Sequence, residues 1–399
     1  MSTEISTTGQ SVRYANGFSA ETDPVKAAEA ISQEIVSRFK STPVHVTMVF
    51  ATVDRFAGMG TFLHHLQENL KSEILLGCTA ETLIYQDREL EGQSGIVVWS
   101  ASLPGSVLEA FHLEFSKTSE GILCEGFPEH ATGDLSGASI FLLCDPFTTP
   151  QDIVINELAE RFPGVPVYGG MASGFERPQE SQIVYQGQVF DYGAVGVLIK
   201  QGPMIRSLVS QGCRPIGQPY VITKGNRNLI ATVGGHPVIE KLNETVELLD
   251  DDDRELLRYG LFMGVVMNEY QESFGYGDFL IMNVLGVDEE SGQMAVGGRI
   301  RTGQTVQFHL RDANSADEDF KGLIRKDQAA HGNGVHGGLL FSCNGRGTRL
   351  FPSPNHDASL ISHEYQNPVI AGFFAQGELG PVGKKNFLHG FTASVALFE

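Results

Sequence analysis

The sequence predicts an α/β (α+β) fold of mixed β-sheet layers flanked by helices, and three observations carry that prediction. The first is an order of strand, helix, Gly-interrupted strand, loop and strand that occurs three times along the chain. The second is hydrophobic period: short apolar runs alternate with stretches whose apolar residues recur at helical spacing. The third is the placement of many of the 46 glycines at the ends of apolar runs. That placement suits tight strand ends and close backbone approach, because only Gly reaches positive φ without steric cost.

The first repeat opens at residues 44–51 (VHVTMVFA), a β-rich run bounded by Pro43. Phe62, Leu63, Leu66 and Leu70 then recur at helical spacing. A strand at 74–80, a turn-rich stretch and a strand at 95–99 complete it. The second repeat has a strand at 140–144, a helix through Ile153, Ile155, Leu158 and Phe162, and strands at 165–172 and 193–199. The third has a strand at 338–343, a helix near Leu360 to Tyr365, and strands at 368–375 and 391–398. Successive elements of such units usually lie side by side.

Between the second and third repeats the pattern changes. Leu256 to Tyr270 reads as a helix, and residues 278–286 as a strand entering a turn at 288–292. Residues 294–296 return as a hairpin, and 304–310 alternate as a further strand. Residues 314–326 read as a helix with Asn314 or Ser315 as its cap. The expected organisation is an N-terminal extension over 1–30 and two closely packed domains over 31–235 and 236–399. A parallel doubly wound sheet is the second choice.

Composition narrows the function. With 399 residues, 41% hydrophobic and 19% charged, the chain has material for a large core and is globular in composition. A net charge of −20 repels phosphate backbones and anionic headgroups, which disfavours nucleic acid and membrane surfaces as partners. The acidic run at 250–253 lacks the spaced ligands and turn Gly of a calcium loop, and reads as a solvated helix start. Five cysteines (Cys78, Cys124, Cys144, Cys213 and Cys343) are widely spaced with no CxxC pair, so reduced thiols in a cytoplasm are expected. Residues 1–20 carry no signal-peptide stretch, and no apolar run approaches the roughly 20 residues needed to span a bilayer.

No P-loop, nucleophile elbow, HExxH helix or kinase signature is present. The candidate ligand site is built instead from Cys343, Asn344, Gly345 and Arg346 in one loop and Gly377 and Glu378 in another. A Gly-flanked guanidinium can take a small carboxylate in bidentate fashion, and Glu378 can receive an ammonium or hydroxyl. The competing reading of the same residues is an internal Arg346–Glu378 salt bridge. Arg214, held extended by Pro215, is either an outer contributor or a strand tie. Cys343 with His389 would make a nucleophile and base, but a small packed Cys is the plainer account. His64 and His65 are adjacent and cannot share an ion as an i, i+4 pair would. His331 and His336 flank a Gly-rich loop, and an axial His for haem stays open.

Several of these strings resemble the FIST family. They are VSQGCRPIG at 209–217, YGGMASG at 168–174, GAVGV at 193–197, DFLIMNVLGVD at 278–288, GQTVQFHLRDA at 303–313, FSCNGRG at 341–347 and GELGP at 377–381. The motifs fall in order over residues 40 to 395. The resemblance implies a sensory module of N-terminal and C-terminal FIST domains that binds small ligands, with amino acids among the candidates; a catalytic role is not expected, and a Cys343-dependent hydrolase or lyase is the alternative. Some stand-alone members resemble haem-containing nitric oxide sensors acting on a histidine kinase. With no F-box, kinase or cyclase segment in this chain, its output is expected to pass to a separate protein.

Overall fold

The computed structural model describes residues 12–399, apart from 41, 120, 130–133, 272, 276 and 289. Residues 1–11 of the expected extension, and residue 289 of the expected 288–292 turn, lie outside the described residues. The rest of that extension is structured: β1 (Arg13–Ser19) is followed by α1 (Pro24–Phe39). The Asp23 carboxylate caps α1 by accepting from the Val25 and Lys26 amides, with Pro24 at the first position, where its missing N–H costs nothing.

The first repeat is β2 (Val46–Ala51), α2 (Met59–Leu70), β3 (Ile74–Thr79), a hairpin of β4 (Leu83–Tyr85) and β5 (Arg88–Glu89), and β6 (Ile96–Ser102). β7 (Val107–Thr118) and β8 (Gly121–Glu125) follow. The second is β9 (Ser139–Cys144), α3 (Gln151–Arg161), β10 (Val167–Met171), a hairpin of β11 (Ile183–Tyr185) and β12 (Gln188–Phe190), and β13 (Ala194–Lys200), followed by β14 (Ile205–Ser210). An intervening segment runs through β15 (Cys213–Asn226), β16 (Leu229–Val233), β17 (His236–Pro237), α4 (Val238–Glu247), α5 (Asp251–Leu256), β18 (Phe262–Val266), β19 (Phe279–Val287), β20 (Met294–Val296), β21 (Thr305–Arg311) and α6 (Ala313–His331). The third repeat is β22 (Gly337–Cys343), α7 (His356–Glu364), β23 (Val369–Ala375), a pair of short strands β24 (Glu378–Val382) and β25 (Lys385–His389), and β26 (Ala393–Phe398).

Each repeat places its first two long strands in parallel and its last strand antiparallel on the other side, as β6-β2-β3, β13-β9-β10 and β26-β22-β23. The short strands between do not stay with their own repeat. β4–β5 of the first joins β23 of the third, β11–β12 of the second joins β3 of the first, and β24–β25 of the third joins β10 of the second. The opposite edges follow the same rule: β1 lies on β6, β7 on β13 and β14 on β26. Three mixed sheets of one plan result, and each is completed by strands from another repeat.

A glycine marks the same place in every sheet. Gly77, Gly169 and Gly372 stand opposite Val49, Leu142 and Leu340 on the parallel side. They face Val184, Leu379 and Ile84 of the exchanged strands on the other. A Cβ at these positions would lie 2.3, 1.9 and 1.8 Å from the carbonyl oxygens of Val49, Leu142 and Leu340. The backbones approach too closely for any side chain.

Alternation along the buried strands sorts their side chains into two layers. Met48, Phe50, Phe141, Leu143, Leu339 and Phe341 share one core with Trp99, Tyr168, Phe373 and Phe398. Val49 and Ala51 point the other way, onto Ile31 and Ile35 of α1 and Phe62, Leu63 and Leu66 of α2. Ile140 and Leu142 likewise meet Val154 and Leu158 of α3. Strands covered on both faces read as continuous apolar runs, which is why these segments are uniformly buried.

The chain divides into two compact units. One comprises residues up to Val209, Ile324–Leu388 and Ala393–Glu399, and holds the three sheets; the other comprises Ser210–Leu323 and His389–Thr392. In the second unit β15, β21, β18, β19, β20 and β16 pair in that order, and β15–β16 pairing closes them into an antiparallel barrel. Ile216, Ile222, Ile230, Met263, Val265, Met294, Val306 and Phe308 fill its core.

Two expectations are corrected here. The helix expected over 256–270 is not formed: α5 ends at Leu256, and Phe262–Val266 is strand β18, buried at every position between β19 and β21. Its Phe-Met-Gly-Val-Val sequence favours a pleated, buried surface, and tertiary pairing overrides the helical spacing around it. The start of α6 is secured by Asp312 rather than by Asn314 or Ser315: its carboxylate accepts from the Ser315 amide at 2.8 Å and the Ser315 hydroxyl at 2.6 Å. The acidic run at 250–253 does start a helix, with Asp250 capping α5 through the Asp253 amide. Among the described residues no helix is long and apolar enough to cross a membrane.

Candidate functional site

In a mixed or parallel α/β sheet, loops leaving the carboxyl ends of the parallel strands converge and form binding crevices. The three parallel pairs of this protein give three such places, and their sequences equip them differently.

At the ends of β2 and β3 the loops leave an open cleft of about 400 Å³ lined by Thr52, Val53, Asp54, Ala80, Glu81, Gly174, Glu176 and Glu180. Gly174 to Glu180 arrive from the second repeat, on the way to the exchanged strand β11. Gly174 has φ +85, and a Cβ there would lie 2.7 Å from the Ala80 carbonyl oxygen and the Glu81 nitrogen. Only Gly brings this loop down onto the other. Thr52 donates to Asp54 Oδ1 at 2.6 Å, Ser94 donates to Asp54 Oδ2, and Arg55 lies 3.4 Å from the same carboxylate. Burial favours protonation of Asp54, but the Ser94 and Thr52 hydroxyls and the Arg55 charge outweigh it and hold the carboxyl below its usual range. The Glu81 carboxylate pairs with Arg349, while its amide donates to Ser173 Oγ at 2.9 Å. Glu180 accepts from the amides of Glu176 and Arg177, which fixes the far wall.

At the ends of β22 and β23 stand the residues singled out in the sequence. Cys343 is buried, and its Sγ receives the Gly345 amide at 3.5 Å. The Asn344 amide donates to the Ala375 carbonyl at 3.0 Å, joining this loop to the end of β23. Arg346 is fully buried, and its guanidinium grips Asp357 with Nε 2.6 Å from Oδ2 and Nη2 2.8 Å from Oδ1. Ser342 donates to Asp357 at 2.9 Å, and His356 Nδ1 lies 2.9 Å from Asp357 Oδ1. Phe351 stacks on the His356 imidazole with centroids 3.5 Å apart. Glu89, on the exchanged strand β5, reaches the start of α7, where Oε1 accepts from the Asp357 and Ala358 amides at 2.9 and 3.1 Å.

Two carboxylates and one guanidinium thus share a buried site. Burial favours protonation of Asp357, yet the Arg346 charge and its hydrogen bonds win and hold it far below the usual carboxylate range. Glu89 is pushed the other way, by its own burial and by the Asp357 charge. Glu378 is also fully buried, where it opens β24 beside Gly170 of β10, and Gly377 precedes it with its carbonyl accepting from Met171. Arg214 belongs to the second unit, where Asp312, at 2.9 Å, and Asp253 hold it. Sequence reasoning found the Arg346 loop but not Asp357 or Glu89. The Asp357 partner is 11 residues on, across a turn, and Glu89 comes from another repeat.

The end of β9 carries the third arrangement, in which buried Asp145 accepts from the Thr148 amide and hydroxyl at 2.8 and 2.6 Å. Cys78 and Cys144 are packing residues whose thiols are raised by burial. His309 is packed between Phe279 and Gly264, with burial holding it neutral by lowering it to about 4. So enclosed a ring does not fit the axial position of a haem. Among the described residues no group of three or more His, Cys, Asp or Glu could hold a metal ion.

Comparison with known proteins now places the chain. The FIST N domain model matches residues 45–236 and the FIST C domain model residues 240–381. An uncharacterized protein of Mycobacterium tuberculosis is 40% identical over 334 residues, covering 84% of this chain and 85% of the relative. An uncharacterized protein of Mycobacterium bovis is 40% identical over 327 residues, covering 81% and 82%. With both domain models matched in order across repeats and barrel, the chain belongs to the FIST family.

Proposed function

We propose that the protein is a sensor that binds a small ammonium-bearing ligand, of the amino acid or amine class, in the cleft at the ends of β2 and β3. FIST domains are associated with sensory signalling and small-ligand binding. The observation that supports this cleft is its form: a concave site of about 400 Å³ at the carboxyl ends of two parallel strands, walled by a loop from another repeat. Its charged lining of Asp54, Glu81, Glu176 and Glu180 sets the sign of the ligand. An ammonium there gains charge-assisted hydrogen bonds, whereas an anion meets like charge.

On this reading Arg346, Asp357 and Glu89 shape the neighbouring strand ends instead of touching the ligand. Cys343, Asn344, Gly345, Gly377 and Glu378 belong to the same framework. Transfer of the signal to a separate protein, such as a histidine kinase, is part of the proposal. Titration calorimetry with L-lysine, L-arginine, 1,4-diaminobutane and succinate tests it. One of the three cationic compounds is expected to bind with one-to-one stoichiometry, and Asp54→Asn is expected to weaken it at least tenfold. Binding of succinate alone, or binding that Asp54→Asn leaves untouched, would show that the cleft is not the site.

A further inference from the structure

The loop after β22 has a fixed root and an exposed tip. At the root, Arg346 is locked to Asp357 inside the protein. At the tip, Thr348 and Arg349 are exposed and are tied down by two carboxylates of the segment that leads into and out of the exchanged β4–β5 hairpin. Glu91 accepts from the Thr348 amide at 2.9 Å and the Thr348 hydroxyl at 2.6 Å. Glu81 takes Arg349 Nη2, while Nη1 stays on the Asn344 carbonyl at 2.8 Å. Of these two carboxylates, Glu81 is the one that lines the cleft.

We infer that the Glu81–Arg349 pair is a latch that the cleft ligand opens: an ammonium group in the cleft competes with Arg349 for Glu81, and the freed loop tip is the surface on which occupancy is read. This rests on the cleft reading given above. The exposure of the pair makes the exchange feasible. Arg349 is 59% exposed and Glu81 34%. An ion pair so open to water stabilises the closed loop by a small margin, which a ligand's preference for Glu81 can overturn. The fixed root confines the change to the tip, because the Arg346–Asp357 bond has no exposed group for a ligand to reach. Linkage requires reciprocity: whatever Arg349 contributes to closing the loop, it takes from ligand affinity.

The test uses the full chain, with L-lysine, L-arginine and 1,4-diaminobutane each as probe, in two measurements: hydrogen exchange of the amides in residues 344–351 and calorimetric affinity. In the wild type, the probe is expected to speed exchange at Arg349 and Leu350, whose amides bond to the Arg346 and Gly347 carbonyls within the loop, while the Thr348 amide stays on Glu91. Arg349→Ala is expected to show that faster exchange without probe, and to bind the probe a few-fold more tightly. Binding with unchanged loop exchange, or with equal or weaker affinity in Arg349→Ala, overturns the latch while leaving the cleft in place. Absence of binding of all three compounds to both proteins overturns the cleft reading and the latch together.

Discussion

Replacing Arg346 by leucine separates a framework role from ligand contact, and the structure sets the size of the effect. Arg346 and Asp357 are both fully buried, joined by two hydrogen bonds of 2.6 and 2.8 Å, with Ser342 and His356 also on the carboxylate. Removing the guanidinium leaves Asp357 charged or forces it to take up a proton in a site built for an anion. Breaking a buried pair in this way costs about 3–5 kcal/mol. Urea unfolding is the assay, and a lower midpoint with unchanged slope is the expected signature. A double variant, Arg346→Met with Asp357→Leu, is expected to recover at least half of the loss, because an apolar pair of similar volume pays no desolvation. Ligand affinity in the single variant is expected to stay within a few-fold of wild type under conditions where it is folded. A loss below about 1 kcal/mol together with abolished binding would refute this reasoning and make Arg346 a ligand contact.

Two further predictions concern the frame and its titration. Gly372→Ala drives a Cβ to 1.8 Å from the Leu340 carbonyl oxygen and is expected to cost at least ~2 kcal/mol by thermal melting, whereas Gly60→Ala, with nothing within 4 Å on α2, is expected to cost nothing. Glu89 has a raised folded-state value, so the folded protein holds its proton where the unfolded chain has lost it. Stability from this group is therefore full at low pH and falls as pH rises from the ordinary carboxylate range toward neutrality. Glu89→Gln keeps the acceptor for the α7 amides and removes the titration; it is expected to match wild type near pH 4.5 and to exceed it in stability above neutral pH.

The repeats were legible because their buried strands carry the signal twice, in apolar composition and in the recurring glycine. Met48 to Ala51, Phe141 to Cys144 and Leu339 to Ser342 read as strands, and Phe62, Leu63, Leu66 and Leu70 as a helix face, because packing and local preference agree there. The exchange of strands among repeats was not legible, since pairing partners far apart in sequence leave no local trace. One signal was nonetheless present. Leu83-Ile84-Tyr85-Gln86 recurs as Ile183-Val184-Tyr185-Gln186, and both Gln residues take positive φ in two-residue hairpins. Taken as a hairpin signature, those strings would have turned two supposed loops into strands. Within the candidate site the Arg346 loop was visible from its glycines. The cleft was not, because its walls come from three separate loops, and the one quoted motif that reaches it, residues 168–174, contributes Gly174 alone.

The repeat register explains why one strand end is hollow and another filled. Val49 and Leu340 occupy the same place opposite Gly77 and Gly372, so counting forward from each puts Arg55 where Arg346 stands. Helix α7 begins His356-Asp357, which offers Arg346 a carboxylate at the base of the loop. Helix α2 begins Met59-Gly60, which offers Arg55 none. Arg55 turns to Ser94 and to the carbonyls of Ala20 and Glu21 instead, at 2.7, 3.1 and 3.3 Å. In the first repeat Arg55 also lies 3.4 Å from the adjacent Asp54, which lines the cleft and accepts from the Thr52 and Ser94 hydroxyls. On the reading proposed above, a chain with three copies of one plan stabilises itself through one strand end and binds through another, and Asp357 at the start of α7, which α2 does not match, is one source of the difference.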